Sequence, residues 1–186
     1  MEDKKSHRKR VKRYNIPNHA HELTFSCFRK LPLLTNDRMC GFLADAIIQA
    51  CEKQKFKMIS YVFMPTHVHL IVMPVKESYS ISDLLKSVKQ PVARREISYL
   101  KRNEPDKLEM LSIGGGTPGY RIWMMGGGYD RNIMHTDHLE NSINYLHNNP
   151  VRKGLVKNVL DWKWSSVRDW QQNEKGIIPI EKDLLF

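Results

Sequence analysis

The tripeptide His67-Val68-His69 carries the strongest chemical signal in the chain. Side chains alternate across a β-strand, so two histidines separated by one residue leave the same face on adjacent pleats. Imidazoles so placed can converge on one metal ion. The pair stands beside a predicted turn and directly before the apolar run Leu70-Ile71-Val72-Met73. A second constellation comes from Tyr145 and Asn149, four residues apart and hence on one face of a helix. A phenol there can act as a nucleophile, and the amide oxygen of Asn149 can add a ligand to the metal. On spacing alone each feature also has a plain structural reading: a chance HxH, a core tyrosine, an asparagine that ends its helix ahead of Pro150. His147, two residues from Tyr145, points to the opposite side of that helix and is left out of the site. His135 and His138, three apart near a helix start, are read as surface residues rather than ligands.

Positioning these groups requires strands and helices in a definite order. Leu23, Phe25 and Cys27 alternate with Glu22, Thr24 and Ser26, a period of two that predicts a strand. Asn36 or Asp37 can cap a helix over residues 38–54, where Phe42, Leu43, Ala46, Ile47 and Ala50 recur at helical spacing. Residues 57–63 and 67–73 form two β-rich runs joined at Met64-Pro65-Thr66, which predicts an antiparallel hairpin. A further helix opens at Ser82, with Leu84, Leu85, Val88, Val92 and Ile97 inward and Lys86, Lys89, Arg94 and Arg95 outward. Pro91 is expected to kink or divide it. Residues 103–119 read as a long glycine-rich surface excursion, and residues 120–125 as the final strand. The last helix begins at Thr136 or Asp137, runs to about Asn149 and is closed by Pro150. Trp162, Trp164 and Trp170 are expected to pack against the core. The resulting order matches an α+β, ferredoxin-like antiparallel sheet with helices on one face and a C-terminal helix carrying Tyr145. That fold hosts many functions and selects none of them.

Composition narrows the partner. The 186 residues carry a net charge of +10, with a pI near 9.6, and such a surplus favours a polyanion such as a phosphate backbone. Residues 1–13 form a basic arm, with Arg10, Lys12 and Arg13 as candidate backbone contacts beside Lys86, Lys89, Arg94 and Arg95. Residues 14–172 are read as one domain and residues 173–186 as a tail. Cys27, Cys40 and Cys51 are an odd set without CxxC spacing, which indicates free thiols rather than a disulfide framework or thiolate zinc site. No run of 18 apolar residues and no signal-peptide core is present, so the expectation is a cytoplasmic protein with no membrane partner. The glycine runs GGGTPG and GGG lack the lysine and hydroxyl of a phosphate-binding P-loop and read as connections.

The stretch MPTHVHLIV, with the later YDRNI and NYLHNNPVRKGLV, resembles the REP-associated tyrosine transposases. These are single-tyrosine HUH transposases of bacterial insertion sequences, where U is a hydrophobic residue. The resemblance runs over residues 14–168, includes the opening YNIPNHAHELTFSCFRKLPLL, and departs from the compact family pattern at residues 103–119. It implies that His67 and His69 are metal ligands, that Tyr145 is the nucleophile and that Asn149 completes the metal site. Asn148 stands next to Asn149, so a neighbouring register stays open. The implied cofactor is a divalent metal, Mg²⁺ or Mn²⁺, and imidazole ligands would also tolerate zinc. The implied reaction is single-strand DNA cleavage and strand transfer through a 5′-phosphotyrosine at hairpin-forming repeats, in a bacterial cytoplasm near the nucleoid. The partner is then single-stranded or hairpin DNA, bound by a monomer or a homodimer. Two alternatives stand beside this reading: a non-catalytic DNA-binding or regulatory relative, and a metal-dependent hydrolase that attacks with water.

Overall fold

A computed structural model describes residues 14–114 and 119–183. Strand β1 (Ala20–Ser26) follows the expected alternation, with Leu23 and Phe25 in the main core and Glu22 and Thr24 on the other face. Helix α1 (Asp37–Gln54) starts where Asn36 accepts a hydrogen bond from the Arg38 amide at 2.9 Å. It ends at Lys55, whose left-handed backbone (φ 60°) turns the chain into β2 (Phe56–Met64). Only Pro65 and Thr66 separate β2 from β3 (His67–Pro74), so Met64 faces His67 and Val62 faces His69 across the hairpin. That short connection fixes the register, and the register decides which face both histidines occupy.

Helix α2 (Ile81–Asn103) begins at Ser80, whose hydroxyl accepts from the Asp83 amide. It runs through Pro91 without interruption, contrary to the expected division. The missing amide affects one carbonyl of a 23-residue helix, while buried Leu84, Leu85, Val88 and Val92 hold both halves in the core. Residues 103–114, the described part of the expected excursion, are less loop-like than expected. They include α3 (Pro105–Glu109), and Leu108 and Leu111 are buried in the main core. The fourth strand also differs. Residues 120–125 form no ladder with β1: they meet its end through the Met124 amide on the Ser26 carbonyl and an isolated bridge between Trp123 and Cys27, while Ile122 and Trp123 fill the core. Pairing with β1 passes to β4 (Tyr129–Ile133), a polar segment with little apolar alternation to betray it.

Helix α4 (Thr136–His147) is followed, after Asn148 alone, by α5 (Asn149–Arg152), and a short α6 (Val167–Gln172) comes later. Pro150 therefore sits in the first turn of α5, where its lack of an amide hydrogen costs little. The sheet order is β2-β3-β1-β4, antiparallel throughout, and the α+β class matches expectation. Helices α1 and α2 cover one face with the main core. Leu139, Ile143 and Leu146 of α4 seal a second cluster on the other face with Ala20, Ile59, Val62, Ile71 and Ile133.

Strand β2 lies at a sheet edge, and the C-terminal segment covers it. Phe63 donates to the Trp164 carbonyl at 2.9 Å, and Ser166 donates to that of Tyr61 at 3.0 Å. Indole nitrogens of Trp162 and Trp170 bond the carbonyls of Phe63 and Ile59, so these rings pack on the strand as expected. Residues 173–183 continue on the same edge, with Ile178 in the main core and the Glu181 amide on the Met58 carbonyl. Cys27, Cys40 and Cys51 are buried free thiols. Among the described residues no helix is long and apolar enough to cross a membrane.

A bulge in β2 between Met58 and Ser60 turns both Ile59 and Ser60 toward α4. Ser60 and Ser166 there place their hydroxyls 2.9 Å from Nε2 of His147, which is buried as the helical spacing required. Burial pushes this imidazole down to about 4, from an unfolded value near 6.5. Between those values the unfolded chain binds more protons, so the contribution of His147 to stability is complete above about pH 6.5 and is lost as pH falls toward 4. Moving from pH 7 to pH 4.5 should therefore cost the native protein about 2 kcal/mol more than it costs His147→Gln. Denaturant unfolding at both values checks this; parallel losses in the two proteins would show that the charged imidazole is tolerated.

Candidate active site

The face of the sheet that α4 leaves uncovered toward one end is polar. Thr24 and Glu22 of β1, His69 of β3, and Tyr129 and Arg131 of β4 line an open cavity of about 620 Å³. His138, Asn141, Ser142 and Tyr145 of α4 close its other side. The four helix residues recur at three- and four-residue spacing, so they form one stripe. The volume is of the size that holds a small ligand or a nucleotide unit.

His67 and His69 lie together, with ring centroids 4.8 Å apart and planes nearly perpendicular. Nδ1 of His69 is 2.7 Å from the Thr24 hydroxyl, and Nδ1 of His67 is 3.0 Å from the Thr66 hydroxyl. Each Nε2 is left without a hydrogen bond to the described residues. If Nδ1–H donates to the hydroxyl, Nε2 keeps its lone pair, which is the tautomer a metal ligand needs. Burial favours that neutral form. It pushes His69 down to about 4, with His67 as a lesser cause, and lowers His67 too, assisted by Lys153 and Lys30. Both imidazoles are therefore uncharged at neutral pH.

Tyr145 is half exposed, and its ring lies under the Arg152 guanidinium at 4.4 Å from the centroid. Asn149 is buried and does not line the cavity; its amide nitrogen donates to the Tyr145 carbonyl at 3.2 Å. The structure thus brings His67, His69 and Tyr145 to one place and sets Asn149 just behind the tyrosine. Across the cavity Arg131 is paired with Glu22 at 2.6 Å and bonds Ser142 at 2.7 Å, which ties β4, β1 and α4 together.

The donor set can be tested against a divalent ion. Among the described residues no three His, Cys, Asp or Glu side chains form a metal cluster, so a third protein ligand would be neutral. The Asn149 amide has its nitrogen tied to the backbone, while its oxygen makes no hydrogen bond to the described residues. Two neutral imidazoles and an amide oxygen can hold Mn²⁺ or Mg²⁺ with water completing the shell, and the imidazoles would accept zinc as well.

The candidate cations of α2 are not at this cavity, because α2 packs on the opposite face of the sheet. Lys86 and Arg94 are exposed there. Lys89 bonds the carbonyls of Met124 and Gly126, and Arg95 pairs with Asp45 at 3.0 Å. Arg10, Lys12 and Arg13 lie outside the described residues. Sequence reasoning missed Thr24, Glu22, Arg131 and Arg152. Only Arg152 had a usable signal, since it falls seven residues after Tyr145 on the same helical stripe.

Comparisons with known proteins identify the family and the fold. A Haemophilus influenzae protein bearing the name of a REP-associated tyrosine transposase is 26% identical over 165 residues, covering 81% of this chain and 85% of that one. The solved structure of a REP-associated tyrosine transposase bound to a REP hairpin shares the fold. It has a TM-score of 0.67 at 22% identity, over 96% of this chain and 94% of that chain. The family described as "Transposase IS200 like" matches residues 15–110, just over half of the sequence, a span that contains both histidines and ends before Tyr145. The chain belongs to the IS200-like transposase family.

Proposed function

We propose that this transposase cuts and rejoins single-stranded DNA beside a hairpin, with Tyr145 as the nucleophile. The observation that carries the reading is the shared cavity of His69 and Tyr145, with the His67 ring edge-on to His69. In the step proposed, the Tyr145 Oη–phosphorus bond forms as the phosphorus–O3′ bond breaks. The phenolic proton passes to solvent, and the departing 3′-oxygen takes one up. The product is a 5′-phosphotyrosine and a free 3′-hydroxyl. Because the ester retains the phosphodiester bond energy, a DNA 3′-hydroxyl can reverse the step and join strands without ATP. His67, His69 and the Asn149 oxygen would hold Mg²⁺ or Mn²⁺, whose contribution is to draw charge from the scissile phosphate.

The substrate follows from charge and from the relatives. The net charge of +10 suits a nucleic acid, and the structural neighbour is bound to a REP hairpin. Lys86, Lys89, Arg94 and Arg95 on α2, with Arg10, Lys12 and Arg13 on the arm, are proposed to contact phosphates of the hairpin away from the cavity.

The test is a labelled single-stranded hairpin DNA incubated with Mn²⁺ or Mg²⁺ and resolved under denaturing electrophoresis. A covalent protein–DNA band is expected with the native chain and not with Tyr145→Phe, at a loss of 10³-fold or more. Cleavage by both proteins without that band would instead mean attack by water. Binding by both without cleavage would mean a DNA-binding relative. In a native binding titration with the same hairpin, reversing charge at Lys86 and Arg94 should weaken binding and flatten its salt dependence; an unchanged slope removes α2 from the interface.

A further inference from the structure

We infer that Arg152 is a positioning residue for Tyr145, holding the phenol ring in its attacking orientation and neutralising the phosphate that becomes joined to it. The inference rests on the proposed role of Tyr145 as nucleophile. Its basis is the guanidinium carbon of Arg152, 4.4 Å from the Tyr145 ring centroid and over its face. Such a contact draws on the negative face of the aromatic ring and restrains a side chain that is otherwise half exposed.

The backbone explains why this arginine arrives there. Helix α4 passes into α5 through Asn148 alone, and the amides of Asn148 and Arg152 bond the carbonyls of Asn144 and Asn148. Helical spacing therefore persists across the junction, and residue 152 falls about two turns beyond residue 145 on the same face. Asn149, between them, fixes the Tyr145 carbonyl from one turn away. The tyrosine is thus held at its backbone by Asn149 and at its ring by Arg152.

Other cations nearby would suit a phosphate in the same neighbourhood. Lys153 follows Arg152, and both Lys153 and Lys30 act electrostatically on His67. The turn that carries Lys30 is bonded to the start of β3, through the Cys27 amide on the Thr66 carbonyl and the Leu34 amide on that of Pro65. Cations from two separate segments therefore border the histidine pair. Among the described cations, Arg152 is the one set against the nucleophile. A planar guanidinium can stay stacked on the ring while its outer N–H groups face a phosphate oxygen, which an ammonium cannot do.

Two measurements on Arg152→Gln and Arg152→Lys decide the matter. The side chain is exposed, so neither variant should lose the fold. In single-turnover reactions at saturating hairpin DNA, Arg152→Gln should form the covalent adduct roughly 10- to 100-fold more slowly, with hairpin affinity changed less than about threefold. Arg152→Lys should recover only part of the rate. A full rate with weakened, less salt-dependent binding would make Arg152 an ordinary phosphate contact and overturn the inference. The second measurement needs no activity. With ¹³C-labelled tyrosine, the Tyr145 ring resonances should shift and sharpen in Arg152→Gln as the ring gains freedom, and unchanged resonances overturn the positioning role. If the native protein forms no adduct at all, the proposed reaction fails while the ring resonances still decide this assignment.

Discussion

Manganese binding is expected to be lost from the His69→Ala protein, and strand cleavage to fall at least 10³-fold with it, while the fold stays intact. His69 belongs to the histidine pair whose Nε2 atoms carry no hydrogen bond to the described residues, and it lines the same cavity as Tyr145. Removing it leaves His67 and one neutral amide, too few protein ligands for a divalent ion to compete with its own hydration. The side chain sits at the cavity rather than in either apolar cluster, so truncation there should cost little stability.

Thr24 gives the same prediction a finer grade. Its hydroxyl is 2.7 Å from Nδ1 of His69 and sets which nitrogen keeps the lone pair. Thr24→Val keeps the β-branched shape that the strand favours and removes only that partner. Outer partners of this kind typically contribute 10- to 100-fold in metal affinity, so Mn²⁺ binding should weaken by that much and not vanish. Titration calorimetry or the electron paramagnetic resonance signal of free Mn²⁺ reads both variants. If His69→Ala binds Mn²⁺ as the native chain does, the ion sits elsewhere and the histidine pair serves another purpose.

The difference between these two residues is also the difference between what the sequence reveals and what it hides. His67 and His69 are legible because strand alternation is a local rule, and a two-residue hairpin connection holds the register that the rule needs. Tyr145 and Asn149 are legible for the same reason, helical spacing being local too. Thr24 is not, because its partnership with His69 depends on β1 lying beside β3, 45 residues away in the chain. The exchange of the fourth strand has a similar cause. Residues 120–125 carry the apolar side chains that local rules reward, yet Ile122 and Trp123 are used to fill the core. Tyr129–Ile133 pairs through its backbone, and its polar side chains serve the site or tie down its surroundings. Arg131 reaches Glu22 and Ser142, and Asp130 meets His21 at 2.8 Å. A strand that supplies a site gives up the alternation by which it would be recognised.

That fourth strand supports the second large effect, at Gly128. Its backbone is left-handed (φ 72°), and an added Cβ would stand 1.9 Å from the Thr24 carbonyl oxygen and 2.9 Å from its carbon. Thr24 cannot retreat, because it is paired on one side with His69 and on the other with Tyr129. Gly128→Ala must therefore move the start of β4 away from β1, and strain and overpacking together should cost about 3 kcal/mol or more, a drop of roughly 10 °C in Tm. Gly126 separates the two causes. It has φ 90° but open space where a Cβ would go, so Gly126→Ala carries only the conformational penalty, about 1 kcal/mol. The consequence also reaches the chemistry. Displacing Thr24 and Tyr129 removes the hydroxyl that orients His69 and one wall of the cavity, so Mn²⁺ affinity in Gly128→Ala should fall at least as far as in Thr24→Val. Melting curves and Mn²⁺ titrations of the two alanine variants read both effects. Equal melting of Gly126→Ala and Gly128→Ala would mean that β4 joins the sheet by another path, and that the wall it gives the cavity is not built on Gly128.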